Sequence, residues 1–251
     1  MMDNNRNFLG RRVFISGAAS DIAFAIAEEF FLRGADLILS DHPDKKEKLF
    51  ISKSSLDKIG DGIIDILQLD LMCVQDIQRV KQTCDILINC AGNNIFKPLV
   101  EINEEDWDNV IDVNIKGTFF LTQRIAKNMI EHRKNGRIVS IGSQHGVVAN
   151  GLRTPYCISK FGLVGLTKVA ALELAQYNIL INCVSPTYVL TEKSKDFLLN
   201  HSVKMDYLPR IPLHRYARSS DIARTVLFLC DERNEMITGE NIMVDGGYTI
   251  Y

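Results

Sequence analysis

"VFISGAASDIAFAIAEEF", residues 13–30, runs from a short apolar segment through small residues into an amphipathic pattern. A strand that turns at a glycine into a helix opens a doubly wound α/β fold. It also leaves backbone N–H groups at a helix N-terminus, where a dinucleotide's pyrophosphate can rest. Gly17, Ser20 and Ile22 fall in that turn, while Asp21 and Ala23 stand where glycines are usual. Asp21 is an N-capping residue type, and Ala23 is the smallest change that still allows close helix–strand packing. A carboxylate beside a pyrophosphate is costly unless it points away.

Outward from this unit, strand and helix patterns alternate. Apolar runs at 11–17, 36–41, 63–70, 85–92, 136–143, 179–186 and 241–245 predict seven strands. Helix-like patterns near 21–33, 72–83, 105–132, 155–177 and 219–231 lie between them. This order predicts an α/β fold: one Rossmann-type, doubly wound parallel seven-stranded sheet with helices on both faces, a single domain over 1–251. The stretch 186–215 breaks the rhythm and carries three prolines. Ligands in open α/β sheets sit outside strand carboxyl ends, so a substrate lid is expected near 187–215.

Composition excludes several classes. The chain has 251 residues, 46% hydrophobic and 24% charged, with net charge −2, which suits a globular protein and offers no basic nucleic-acid surface. The opening "MMDNNRNFLGRR" lacks a signal-peptide core, and no apolar run reaches membrane-spanning length, so a cytoplasmic protein is expected. Six cysteines (73, 84, 90, 157, 183 and 230) form no CxxC pair and are expected to be reduced. The five histidines (42, 132, 145, 201 and 214) show no paired ligand spacing, so no metal site is expected.

Two features point to a nicotinamide dinucleotide. Asp41 ends the second predicted strand, 24 residues after Gly17, where a carboxylate can bind the adenine ribose hydroxyls. It would repel a 2′-phosphate, and no Lys or Arg stands beside it, so NAD is preferred over NADP. Further on, "TPYCISKFG" (154–162) sets Tyr156 and Lys160 at i and i+4 of a helix that opens with Pro155. An ammonium beside a phenol favours the phenolate. Ile158, Phe161, Leu163, Leu166, Val169 and Leu172 are expected to form the apolar side of this helix.

Taken together, the chain resembles the short-chain dehydrogenase/reductase family over nearly its whole length. The matching segments arrive in the family's order: "SGAASDIA", Asp41, "LDL" (69–71), "NCAG" (89–92), "DVNIKG" (112–117), "GRIVSIGS" (136–143), "YCISK" (156–160), "NCVSPTYVLT" (182–191) and "ITGENIMVDGG" (237–247). The resemblance implies a tetrad. Tyr156 would exchange a proton with the substrate oxygen, and Ser143 would hydrogen-bond that oxygen. Lys160 would tune Tyr156 and hold the nicotinamide ribose, and Asn114 would orient Lys160 through a water. It further implies that Gly17, Ser20, Asp21 and Ile22 border the pyrophosphate, and Asp70 and Leu71 the adenine. Asn89, Ala91 and Gly92 would pass the adenosine ribose, and Pro186, Val189 and Thr191 would face the nicotinamide carboxamide. A homotetramer or homodimer, built on the helices at 105–132 and 155–177, is also implied.

Besides Asp21 and Ala23, Thr187 follows Pro186 where glycine is common, and Cys90 replaces an asparagine. His145 and Arg153 flank the catalytic segment with a spacing similar to that of bacterial 3-hydroxybutyrate dehydrogenases. Arginine suits bidentate recognition of a carboxylate, which points to a hydroxy acid or sugar acid. Sugar or polyol dehydrogenases and 3-oxoacyl-carrier-protein reductases share the other motifs, although Asp41 disfavours the NADP expected of the latter. Nucleotide-sugar epimerases also use YxxxK with NAD but need a further substrate domain. A non-catalytic nucleotide-binding relative is suggested only by Asp21 and Ala23, and the intact tetrad argues against it.

Overall fold

The structure is a computed structural model that describes residues 7–250; the reading of the first six residues lies outside them. In its first half β1 (Arg12–Ser16), α1 (Asp21–Phe31), β2 (Asp36–Asp41), α2 (Lys46–Leu56), β3 (Ile64–Gln68), α3 (Val74–Gln78) and β4 (Ile86–Asn89) alternate. Next come α4 (Glu104–Ile111), α5 (Thr118–Glu131), β5 (Arg137–Ile141), α6 (Thr154–Leu174) and β6 (Leu180–Pro186). The chain closes with β7 (Val189–Leu190), α7 (Lys195–Leu198), α8 (His201–Tyr207), β8 (Ala217–Arg218), α9 (Ser219–Cys230) and β9 (Asn241–Val244).

Seven strands form one parallel sheet in the order β3-β2-β1-β4-β5-β6-β9, which is the predicted architecture. Alternation along β1 feeds two cores: Val13 and Ile15 pack with Ile26 and Phe30 of α1 and Ile222 and Val226 of α9. Phe14 points to the other face, with Leu121 and Ile125 of α5. Both faces are covered, which is why the strands read as unbroken apolar runs. β1 pairs with β2 on one side and β4 on the other, so the connectivity reverses between β1 and β4. The carboxyl ends at that reversal open a crevice suited to a ligand.

Four elements depart from the sequence expectation. α2 was not anticipated; only Leu49 and Leu56 of it are buried, so its sequence carries no apolar stripe. The predicted helix at 72–83 contracts to the five residues of α3. The predicted helix at 105–132 is interrupted by a π-helical turn, Asp112–Gly117, with Asn114 inside it. Wide turns of this kind occur often at functional sites. Last, the apolar side assigned to α6 largely faces outward: Ile158, Phe161, Val169 and Leu172 are exposed, and only Leu163 is buried. The buried side is formed by Pro155, Ser159, Lys160, Leu163, Thr167 and Ala171.

The excursion after β6 contains α7 and α8, and β7 pairs in parallel with β8 at its base. Leu198, Ile211 and Tyr216 form a small core of their own there, with Tyr188 and Tyr207 against it.

Candidate active site

At the first turn, Ser20 is the N-cap of α1, its side chain accepting from Ala23 N–H at 3.4 Å. Asp21, expected as a possible cap, is instead the first helical residue. Its carboxylate accepts the Glu192 N–H at 2.7 Å, tying the turn to the start of the excursion after β7. Gly17 has φ +69°, and a Cβ there would lie 2.5 Å from Ala91 Cα, so only glycine lets the β1 and β4 loops meet. Gly17→Ala is expected to displace one loop and weaken NADH binding by about 10- to 100-fold, measured by NADH fluorescence titration.

Asp41 ends β2 with both carboxylate oxygens fixed: Oδ2 accepts Ala19 N–H at 2.9 Å and Oδ1 accepts His42 N–H at 2.8 Å. Asp70 accepts Met72 N–H at 2.8 Å, and Leu71 is buried beside it. The Asn89 side chain turns into the core, donating to Thr122 Oγ1 at 2.9 Å and Ser140 Oγ at 3.2 Å, so only its backbone borders the crevice. Pro186 closes β6 and Val189 opens β7. The Thr191 hydroxyl lies 3.0 Å from Ser194 Oγ in the turn that follows. A small-residue turn at a helix N-terminus, with a pre-oriented carboxylate one strand away, fits a nicotinamide dinucleotide.

Lys160 and Asn114 come together around Gly92: a Cβ there would sit 3.4 Å from Asn114 Oδ1 and 3.7 Å from Lys160 Nζ. Lys160 is buried; its Nζ donates to Ile141 O at 2.7 Å and stands 5.6 Å from the Tyr156 ring centroid. Asn114 accepts the Asn93 N–H at 2.7 Å and donates to Asn93 O at 2.9 Å and to Ser159 Oγ at 3.0 Å. Ser159 in turn donates to Tyr156 O at 2.7 Å, so a hydrogen-bonded chain joins the π-turn to the residue next to Lys160. Ser143 lies just past β5, where its Oγ accepts His145 N–H at 3.1 Å and keeps its own O–H free to donate.

His145 and Arg153 also meet here. Arg153 is 5% exposed, with NH1 3.1 Å from His145 Nε2 and NH2 donating to the Tyr207 hydroxyl at 3.2 Å. Its guanidinium carbon lies 4.6 Å from the centroid of the Phe96 ring. Among the described residues, no carboxylate lies within ion-pair distance of it. Since arginine only donates, His145 Nε2 accepts and the ring is neutral. Burial, and then the Arg153 charge, push the His145 pKa down to about 4. Among the described residues, Gln144 Oε1 and Arg153 Nε are buried without a hydrogen-bond partner. Sequence reasoning passed over Gln144, Phe96, Tyr188 and Tyr207. Gln144, beside Ser143, and Tyr188, within "SPTYVLT", could have been flagged by position; Phe96 and Tyr207 carry no local signal.

The depressed His145 pKa sets a pH dependence of stability. The unfolded chain takes up the proton near pH 6.5 while the folded chain resists it to about 4, so stability falls as pH drops through that window. The loss is on the order of 3 kcal/mol at full effect. His145→Gln is expected to flatten this acid limb in urea unfolding between pH 6.5 and 4.

A family model described as Enoyl-(Acyl carrier protein) reductase matches residues 17–249. An NAD-dependent glycerol dehydrogenase of Listeria innocua is 36% identical, over 99% of this chain and 97% of its own. The chain belongs to the short-chain dehydrogenase/reductase family. A 3-oxoacyl-(acyl-carrier-protein) reductase of Thermotoga maritima is 35% identical over 96% of this chain and 98% of its own. A structure from Agrobacterium tumefaciens with bound NADP superposes with TM-score 0.89 at 30% identity, covering 99% of this chain and all of its own (100%). The protein is thus an oxidoreductase acting on CH–OH and C=O groups with a nicotinamide cofactor. Among the described residues of this short-chain dehydrogenase/reductase, no His, Cys, Asp and Glu cluster could hold a metal ion, and no helix is long and apolar enough to cross a membrane.

Proposed function

We propose that this short-chain dehydrogenase/reductase is an NAD-dependent dehydrogenase of a small hydroxy acid or sugar acid. The observation that carries the substrate class is Arg153: a buried guanidinium with no counter-charge among the described residues, linked through His145 to the catalytic segment. A buried charge is costly unless paired, and a substrate carboxylate would complete it bidentately. NAD is favoured because both oxygens of Asp41 are already held by backbone N–H groups, which presents a fixed negative charge where a 2′-phosphate would lie.

In this reading the nicotinamide ring supplies the hydride acceptor or donor when bound. Tyr156 takes the proton of the substrate hydroxyl during oxidation and returns it during reduction. The Lys160 ammonium stands 5.6 Å from the centroid of its ring, and its remaining N–H donors would hold the nicotinamide ribose. Ser143 donates its free O–H to the substrate oxygen as charge develops there. Asn114 is the positioning residue: it holds Asn93 and, through Ser159, the start of α6.

A polyol dehydrogenase or 3-oxoacyl-carrier-protein reductase is the second reading, supported by the two relatives named above. Initial rates of NAD⁺ reduction with 3-hydroxybutyrate, glycerate and gluconate, set against glycerol and threitol, separate the two. Turnover of the acids alone is expected; turnover of glycerol and threitol alone overturns the acid reading.

A small-molecule substrate, a single catalytic domain with its lid at 187–215, a cytoplasmic setting and no nucleic-acid or membrane partner belong to the same proposal. Self-association into a homotetramer or homodimer is supported by the outward apolar residues of α6, together with exposed Phe119 on α5. Sedimentation equilibrium is expected to give the mass of two or four chains; a monomer at micromolar concentration contradicts this.

A further inference from the structure

Tyr207, on α8 of the excursion after β6, shares the buried guanidinium with His145. Arg153 NH2 donates to the Tyr207 oxygen at 3.2 Å, so the phenol acts as acceptor and its own O–H remains available. The ring is fixed in that position. It stacks on Tyr188 with centroids 4.2 Å apart and planes 18° apart, and Phe197 meets it edge-on at 6.1 Å. The segment beneath is anchored as well, with the Tyr216 hydroxyl donating to Leu198 O at 2.9 Å. The Arg153 backbone, by contrast, precedes α6 on the body of the fold. One guanidinium therefore bridges the catalytic helix and the excursion, and its Nε is buried with no hydrogen-bond partner among the described residues.

We propose that Tyr207 is a specificity-determining donor for the substrate carboxylate, so that the acid itself joins the excursion to the catalytic helix. This rests on the reading of the substrate as a hydroxy or sugar acid. A carboxylate entering beside Arg153 accepts from the guanidinium on one side and from the freed Tyr207 O–H on the other. An uncharged hydroxymethyl end gains little from either. Tyr207 thus distinguishes acids from polyols without touching the reacting carbon, and its effect belongs on KM rather than kcat. A hydrogen bond to a charged group of this kind corresponds to about 10- to 100-fold in affinity.

Tyr207→Phe keeps the stacked ring and removes only the hydroxyl. The expected result is a KM for 3-hydroxybutyrate, glycerate or gluconate raised about 10- to 100-fold, with kcat within about twofold. Propionate binding to the enzyme–NADH complex, followed by NADH fluorescence, is expected to weaken by the same factor, while 1-propanol binding stays unchanged. Propionate is also expected to protect residues 191–210 from limited proteolysis in the unsubstituted enzyme and not in Tyr207→Phe. An unchanged acid KM in Tyr207→Phe, with acid turnover lost in Arg153→Met, overturns the role of Tyr207 and leaves the acid reading standing. Equal losses for propionate and 1-propanol reduce Tyr207 to a structural residue and also overturn it. An unsubstituted enzyme that oxidises only glycerol and threitol removes the acid reading and this inference with it.

Discussion

Tyr156→Phe is expected to lower kcat by about 10³- to 10⁴-fold, the upper part of what a positioned proton-transfer group contributes. That loss corresponds to about 4–5 kcal/mol of transition-state stabilisation. The substitution removes one oxygen and leaves the ring, the helix and the Lys160 contact to Ile141 O in place. NADH affinity is therefore expected to remain within a few-fold of the unsubstituted enzyme. Stopped-flow or steady-state rates, paired with NADH fluorescence titration, check both halves. Persistent turnover would remove the phenol from the mechanism, and joint loss of turnover and NADH binding would indicate a damaged fold.

The second large effect concerns Arg153. Arg153→Met is expected to lower kcat/KM for hydroxy acids by about 10²- to 10³-fold, the usual consequence of truncating one member of a buried charge pair. Stability should move the other way. Without substrate the guanidinium is buried beside a neutral histidine, an aromatic face and a phenol, with no carboxylate among the described residues to offset it. A methionine of similar length removes that unpaired charge, so an unchanged or raised Tm is expected by thermal unfolding. An arginine kept for folding would instead show a lower Tm with acid and polyol turnover falling together. Opposite signs for activity and stability are the mark of a residue kept for function.

The contrast between what the sequence discloses and what it hides follows from local and non-local physics. The strand–turn–helix at 13–30 is legible because an unbroken apolar run gives way to a helical period across a glycine. The proposed tetrad is legible because Tyr156 and Lys160 are neighbours on one helix turn, and Asn114 and Ser143 lie in recognisable segments. α2 is not legible, since its two buried leucines are too few to set a period. The outward apolar stripe of α6 misleads for a specific reason. Periodicity shows that a face is apolar without showing what covers it, and here the sheet takes the side carrying Ser159, Lys160 and Thr167. Asp21 bonding Glu192, and Arg153 bonding Tyr207, join residues far apart in the chain, so no window of sequence contains them.

Asp21 illustrates how a departure from a motif is accommodated. The carboxylate could have opposed an anionic ligand at the helix N-terminus, yet it is turned toward a backbone N–H of the segment after β7. The cap is supplied by Ser20. The turn thus keeps its backbone donors without the usual glycine, and the Asp21 side chain braces the excursion.

The most direct test is a crystal structure of the abortive complex with NADH and whichever hydroxy acid is oxidised fastest. The carboxylate is expected within hydrogen-bonding distance of the Arg153 guanidinium, with the substrate hydroxyl on Tyr156 and Ser143. A carboxylate directed to solvent, with Arg153 still donating to His145, would contradict it.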